Sequence, residues 1–241
     1  MTIPTDVALA LDELSAAMRD AAGDNLLGLI LYGGLARGRY NPDTSDINIV
    51  VVLRDASAHA IARIANPLHA AWRGRRVEPF IVTPRELSRL AVAFPTKILD
   101  IQRRHVVLYG DDPFSGFEVS REHIRLRVEQ ELRNLALRMR RRLVSIHDDP
   151  GALGRAADDA AAPLAVNLRA LLFLEGIVSD EFQPTLAIYE RAAEAFGLDV
   201  EALTATKRIH RNDGEATLSA EMFGRLLATI DKAADKAVAA R

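Results

Sequence analysis

The spacing of apolar residues along the first half of the chain predicts helices and strands in alternation. A first helix is predicted from Thr5 to Gly23, because apolar side chains recur at helical intervals at Val7, Leu11, Leu14 and Met18. An apolar run at 26–32 and a β-branched run at 47–53 follow, and the segment 77–82 also has a strand pattern. Runs of this length bounded by polar and glycine-rich segments are typical of buried strands, so we predict three strands here.

Helices are predicted between and after these strands. Residues 57–70 favour a helix that connects the second and third strands. The tetrapeptide 83–86 combines an N-cap Thr, Pro at the first helical position and a capping-box Glu, so it predicts a helix running to about Ala93. A further helix is predicted at 98–104. A short apolar run at 106–109 then precedes a loop at 110–113.

The second half of the chain has a helical pattern throughout. Apolar residues keep helical spacing across 120–147, and further helices are predicted at 164–175, 185–196, 199–208 and 217–238. No strand is predicted after residue 110. The predicted fold class is therefore α+β, with a mixed β-sheet domain flanked by helices at 1–115 and an all-α helical bundle domain at 116–241.

Composition narrows the function classes without naming one. The net charge is −2, so no overall basic character marks a nucleic-acid or membrane binder. The absence of cysteine excludes disulfides and thiol catalysis, and the six histidines lack metal-ligand spacing. No apolar run is long enough to span a membrane, and no secretory signal is recognised at the start, so a cytoplasmic location is expected.

The segment from Leu31 to Val50 carries the candidate chemistry. Gly33 and Gly34 follow the first strand, and eleven residues then separate Gly34 from Asp46. Side chains at i and i+2 of a strand share a face, so those of Asp46 and Asn48 should project together, and a neighbouring strand can bring Glu78 beside them. Such oxygen ligands suit Mg²⁺ shared with substrate phosphates, and two ions can assist displacement at phosphorus.

The glycine pair and the arginines after it suggest a phosphate-binding turn. Glycines allow backbone N–H groups to approach a polyphosphate, and a helix beginning there would add a favourable dipole. Arg37 and Arg39 could bind phosphate oxygens bidentately.

The pattern of Gly33-Gly34, the spacer, Asp46-Ile47-Asn48 and the later Glu78 resembles the polymerase-β-like nucleotidyltransferase superfamily. The pieces Ala36-Arg37-Gly38 and Ser45-Asp46-Ile47 resemble the bacterial branch with aminoglycoside and minimal nucleotidyltransferases. The resemblance covers roughly residues 7–110 and makes 1–115 a nucleotidyltransferase-like domain. In relatives, the following helical bundle forms the other wall of a cleft and selects the acceptor.

The resemblance also implies partners and residue roles. An NTP, expected to be ATP, would donate a nucleoside monophosphate to an unidentified acceptor hydroxyl, with Mg²⁺ as cofactor. Asp46 and Glu78 would be catalytic, Asp46, Asn48 and Glu78 would hold the metal, and Gly33, Gly34, Arg37 and Ser45 would bind the nucleotide. A homodimer and a nucleic-acid partner stay open, and no membrane partner is expected.

Asn48 departs from the family pattern, which has Asp or Glu at this position. An amide oxygen can coordinate a cation but brings no charge, so the site should bind divalent metal more weakly. Two hypotheses follow: an active nucleotidyltransferase, or a nucleotide-binding or protein-binding module that has lost catalysis. A third alternative is an antitoxin-like partner of a helical RNase.

The arginine-rich helix at 120–147 and the single tryptophan have two interpretations each. The helix holds eight arginines, which could form a phosphate-binding or nucleic-acid-binding face. Alternatively, they form a solvated face with intrahelical ion pairs such as Glu129 with Arg133, which we favour. Trp72 is expected to be a packing residue.

Overall fold

The computed structural model describes residues 3–38, 40–42, 45–177, 183–208 and 217–239. The chain divides into two compact units, Met1–Ser120 and Arg121–Arg241. The first unit contains, in order, α1 (Thr5–Ala22), β1 (Leu26–Tyr32), β2 (Ile47–Leu53), α2 (Ala58–Arg75), β3 (Val77–Val82), α3 (Pro84–Ala93), α4 (Pro95–Arg103) and β4 (His105–Gly110).

The four strands of the first unit form one mixed sheet in the order β3-β2-β1-β4. β1 is antiparallel to both β2 and β4, whereas β2 and β3 are parallel. A parallel pair needs a crossover connection, and α2 provides it. The predicted fold class, a mixed sheet flanked by helices and followed by a helical region, is confirmed.

Helices cover both faces of this sheet. Odd-numbered residues of β2, from Ile47 to Leu53, pack in a core with α1 and α2. Val50 and Val52 point to the other face and pack with α3 and α4. Because both faces of the sheet are covered, the central strands β1 and β2 are mostly apolar and do not alternate between apolar and polar residues.

Local sequence signals fix several element ends in the first unit. β1, β2 and β3 have the predicted bounds. The capping box is formed, since the Glu86 N–H donates to Thr83 Oγ1 at 3.3 Å and the Thr83 N–H donates to Glu86 Oε2 at 2.8 Å. The apolar run at 106–109 forms β4, and α4 begins at Pro95, earlier than predicted, because proline is favoured at a first helical position.

Every described element of the second unit is a helix. These helices are α5 (Arg121–Ile146), α6 (Pro150–Leu174), α7 (Thr185–Phe196), α8 (Val200–Arg208) and α9 (Ala220–Ala239). Across the ranges that the structure describes in both units, no helix combines the length and hydropathy of a membrane-crossing segment.

The predicted start of the sixth helix at Leu164 was wrong, because α6 begins at Pro150. Asp149 caps this end by accepting the Ala152 N–H at 2.9 Å. The motif 148–151 therefore ends one helix and also begins the next. The following segment has few large apolar residues to show periodicity, but its alanines are buried at positions 156, 157, 160 and 161.

The arginines of α5 are largely engaged in ion pairs within the second unit. Arg133 and Arg140 contact Asp235 and Asp231 of α9, each at 2.7 Å. The predicted pair of Arg133 with Glu129 was wrong. The aspartates of a neighbouring helix compete for these side chains, and a sequence pattern does not reveal that neighbour.

Candidate functional site

Three residues form one row across the sheet at the same end of their strands. Asn48 in β2 is the Cα partner of Tyr32 in β1 and of Glu78 in β3. Tyr32 packs with Val50 in the core on the α3 and α4 side, so the row lies on that face. Asp46 stands two residues before Asn48, just ahead of β2. The structure thus places Asn48 and Glu78 on adjoining strands, and Asp46 directly precedes the strand that holds Asn48.

The turn after β1 lies directly against Asn48. Gly33 has a φ of 81°, and a Cβ added there would lie 3.0 Å from Asn48 Nδ2. Glycine is needed at this position for both its backbone angle and its lack of a side chain. Gly34 precedes a single 3₁₀ turn, Leu35–Arg37, and no α-helix begins there. The prediction that a helix begins at this turn and adds a favourable dipole was therefore wrong.

Two of the predicted nucleotide-binding side chains already have protein partners. Arg37 forms an ion pair with Asp100 of α4, and its side chain is only 18% exposed. Ser45 Oγ accepts the Asn41 N–H at 3.0 Å, and the Ser45 N–H donates to the Asn41 carbonyl at 2.8 Å. These bonds close the loop before Asp46. Arg39, also considered for phosphate binding, lies outside the described residues.

Asp46 and Glu78 border a cavity at the edge of the sheet. The cavity has a volume of about 540 Å³ and is lined by Asp46, Trp72, Arg73, Arg76 and Glu78. Asp46 Oδ1 lies 2.9 Å from Arg76 Nη2. Trp72 Nε1 donates to Glu78 Oε1 at 3.2 Å. Trp72 is 50% exposed, and its ring stacks on that of His69 with the centroids 6.1 Å apart.

Arg76 adopts an unusual backbone conformation. Within the described residues it is the one non-glycine residue with a positive φ, 53°. A side chain in the left-handed region costs about 1–2 kcal/mol. An exposed ion pair contributes about 0–1 kcal/mol. The Arg76–Asp46 pair therefore does not offset the backbone cost by itself.

Tyr32 and Lys97 extend the polar site toward α4. Burial raises the pKa of the Tyr32 phenol, and the nearby carboxylates of Asp100 and Glu78 raise it further. Lys97 Nζ lies 3.9 Å from the centroid of the Phe80 ring, and burial lowers the pKa of this amine.

The described side chains do not fit a resident pair of Mg²⁺ ions. In the part of the chain that the structure describes, no three His, Cys, Asp or Glu side chains converge on a common point. The donor set is two carboxylates and an amide, with Asp46 paired to Arg76 and Glu78 bonded to Trp72. A two-ion site needs several carboxylates directed at the metals.

Tyr32, Trp72 and Arg76 were not assigned to the site from the sequence. Tyr32 could have been found, because the alternation of faces along paired strands places it in the row of Asn48 and Glu78. Trp72 and Arg76 gave no comparable signal. Their positions depend on where α2 ends against the sheet.

Comparisons with known proteins agree with this architecture. No protein-family model matches the sequence, and a search of curated proteins finds no match. Among solved structures, the chain is similar to spectinomycin adenyltransferase AAD(9) from Enterococcus faecialis, solved with ATP and spectinomycin. The two are 12% identical with a TM-score of 0.55, and the match covers 96% of this chain and 99% of the other. The chain thus has the nucleotidyltransferase fold.

The chain is also similar to the solved structure of a nucleotidyltransferase-like protein from Exiguobacterium sibiricum 255-15. It is 14% identical with a TM-score of 0.44, and the match covers 93% of this chain and 74% of that one.

Proposed function

We propose that the protein binds a nucleoside triphosphate, with ATP as the first candidate, and transfers its nucleoside monophosphate to an acceptor hydroxyl. One observation carries the proposal. Tyr32, Asn48 and Glu78 form a row beside the Gly33 turn, across one end of three strands in a domain with the nucleotidyltransferase fold. The neighbour solved with ATP supports the choice of nucleotide.

In the proposed reaction, the acceptor oxygen attacks the α-phosphorus. A new phosphorus–oxygen bond forms, the bond from the α-phosphorus to the bridging oxygen breaks, and pyrophosphate leaves. Glu78 takes the proton of the acceptor hydroxyl as general base. The Trp72 Nε1–H bond holds the Glu78 carboxylate in orientation. The turn at Gly33 and Gly34 positions the triphosphate.

Mg²⁺ enters this proposal as part of the metal–nucleotide substrate. The triphosphate supplies most ligands to its own ion. Because the described side chains do not fit a resident ion pair, no step of the proposed reaction is assigned to a metal held by the protein.

The acceptor class is proposed from the neighbour and from the helical half of the chain. Spectinomycin, a polyhydroxylated compound bound by the neighbour, makes such compounds the first acceptors to test. We assign acceptor selection to the helical domain proposed at 116–241.

A radiolabel transfer assay tests the proposal. Labelled ATP is incubated with the protein and acceptors that include spectinomycin, aminoglycosides, proteins and RNA ends. Glu78→Gln should lower the transfer rate by about 10²–10⁴-fold, because it removes the base. Glu13→Gln, on the exposed side of α1, is the matched control and should leave the rate unchanged. Transfer that persists in Glu78→Gln would contradict the assigned role.

A second candidate function is nucleotide binding without transfer, and Asn48 favours it. Here the chain would bind ATP without transferring a nucleotide to any acceptor. Calorimetric titration with ATP, with and without Mg²⁺, measures the binding, while the transfer assay measures catalysis. If Asn48→Asp gains transfer that the wild type lacks, the chain is a binding protein derived from an enzyme fold.

A further inference from the structure

The backbone at the end of α2 fixes Arg76 beside Asp46. The Arg76 N–H donates to the Trp72 carbonyl at 2.8 Å, and the Arg76 carbonyl accepts the Ile47 N–H at 3.1 Å. The left-handed φ of 53° is a conformation that helix ends usually give to glycine. Residues held in such a conformation often belong to functional sites.

The Arg76 side chain forms an ion pair with Asp46. Arg76 Nη2 lies 2.9 Å from Asp46 Oδ1, and each side chain is about half exposed. Water screens an ion pair of this kind, so it adds little to stability. The contact places the permanent positive charge of the guanidinium beside Asp46, the carboxylate that the family resemblance assigns to metal binding.

Arg76 is also better placed than Arg37 to contact a ligand. Arg37 is mostly buried against Asp100, whereas Arg76 is half exposed and lines the cavity beside Glu78. A guanidinium has five N–H donors in a planar fork, so it can contact a carboxylate and a phosphate together.

We propose that the Arg76 guanidinium takes the part of a divalent cation at this site, neutralising Asp46 and binding a phosphate oxygen of the nucleotide. This inference rests on the proposed nucleotide binding. Two carboxylates, Asp46 and Glu78, and two guanidiniums, Arg73 and Arg76, line the cavity, so protein groups balance the acidic charge. A neutral Asn48 agrees with this balance, because a third carboxylate there would call for another cation.

The expected consequence is nucleotide binding that does not depend on divalent metal. Calorimetric titration of the 241-residue chain with ATP should give an affinity in EDTA within about ten-fold of that in MgCl₂. The guanidinium keeps its charge at every working pH, so it attracts phosphate when no metal is present.

Arg76→Gly separates binding from folding. Glycine suits the left-handed backbone, so the melting temperature should not fall. Loss of a charged donor should weaken ATP binding in EDTA by at least about ten-fold. Arg76→Lys should recover part of the affinity. Arg75, the last residue of α2, forms a similar ion pair with Asp6 of α1 at 2.6 Å, so Arg75→Ala is the matched control and should leave ATP affinity unchanged.

Metal binding gives a readout that does not require ATP. In Mn²⁺ titrations followed by electron paramagnetic resonance, the double variant Arg76→Gly, Asn48→Asp should bind Mn²⁺ more tightly than the wild type. The double variant frees Asp46 from its guanidinium and restores the third carboxylate. Equal Mn²⁺ affinity in the two proteins would overturn the inference.

The outcomes with ATP distinguish this inference from the proposed function. If the wild type binds ATP with Mg²⁺ and not in EDTA, or if Arg76→Gly binds like the wild type in EDTA, the inference fails and the proposed function stands. If the wild type binds ATP under neither condition, both fail.

Discussion

Replacing Gly33 with alanine tests whether the turn after β1 is shaped by its contact with Asn48. Gly33 has a φ of 81°, and an alanine Cβ would lie 3.0 Å from Asn48 Nδ2. Gly38 has a φ of 72°, and apart from its chain neighbours no heavy atom of the described residues lies within 4 Å of the corresponding Cβ position. Gly38→Ala is therefore a matched control with the same kind of backbone cost and no steric contact.

The expected magnitudes follow from these two geometries. A positive φ costs an alanine about 1–2 kcal/mol, so Gly38→Ala should lose that much unfolding free energy. In Gly33→Ala the Asn48 amide must also move, because carbon contacts prefer about 3.5–4.0 Å. Its backbone is held within the sheet, so the side chain must rotate away from its rotamer, which costs a further ~0.5–1.5 kcal/mol. The Gly33→Ala total is then about 1.5–3.5 kcal/mol.

Urea unfolding measures the free energies, and ATP titration measures the effect on the site. Gly33→Ala should unfold at lower urea than Gly38→Ala and should bind ATP more weakly, while Gly38→Ala binds normally. Adding Asn48→Ala to Gly33→Ala should remove the extra destabilisation in a double-mutant cycle. Equal stability of the two single variants, or a cycle with no coupling, would refute the contact as the shaping element.

Three further predictions concern the fold. Gly110→Ala should lower the free energy of unfolding by more than about 4 kcal/mol or prevent folding, because the new Cβ would lie 2.0 Å from a backbone oxygen of β1. Gly116→Ala is the control: its Cβ would enter open space, so it should cost only about 1–2 kcal/mol in thermal unfolding. The hydrogen bond with Arg225 lowers the pKa of the Asp199 carboxyl below its ordinary value of 3.8. The pair therefore contributes its full stabilisation above pH 3.8, and this contribution is lost as the pH falls below that value. Asp199→Asn should show a smaller loss in acid urea titrations. Burial raises the pKa of Tyr189 from 10.0 to about 12, so unfolding free energy should fall between those pH values, and Tyr189→Phe should show a smaller fall.

Elements with strong local signals were predictable from the sequence. The segments 26–32, 47–53 and 77–82 predicted β1, β2 and β3 with the observed bounds, and the capping box at Thr83 fixed the start of α3. The start of α6 was missed although Asp149 and Pro150 form a local start signal, because the buried alanines that follow show no periodicity of large apolar side chains. Local information failed for Arg133, whose partner lies on another helix.

For the candidate site, the sequence determined which polar residues stand at strand ends and on which face. Asp46, Asn48 and Glu78 follow from strand parity and from the order of the runs. The tertiary structure alone decided their partners. Arg76 pairs with Asp46, and Trp72 donates a hydrogen bond to Glu78, because α2 ends beside these strands. Arg37 pairs with Asp100 because α4 packs next to the turn after β1. Strand periodicity is a property of the local chain, whereas ion pairs between distant residues depend on how helices pack on the sheet.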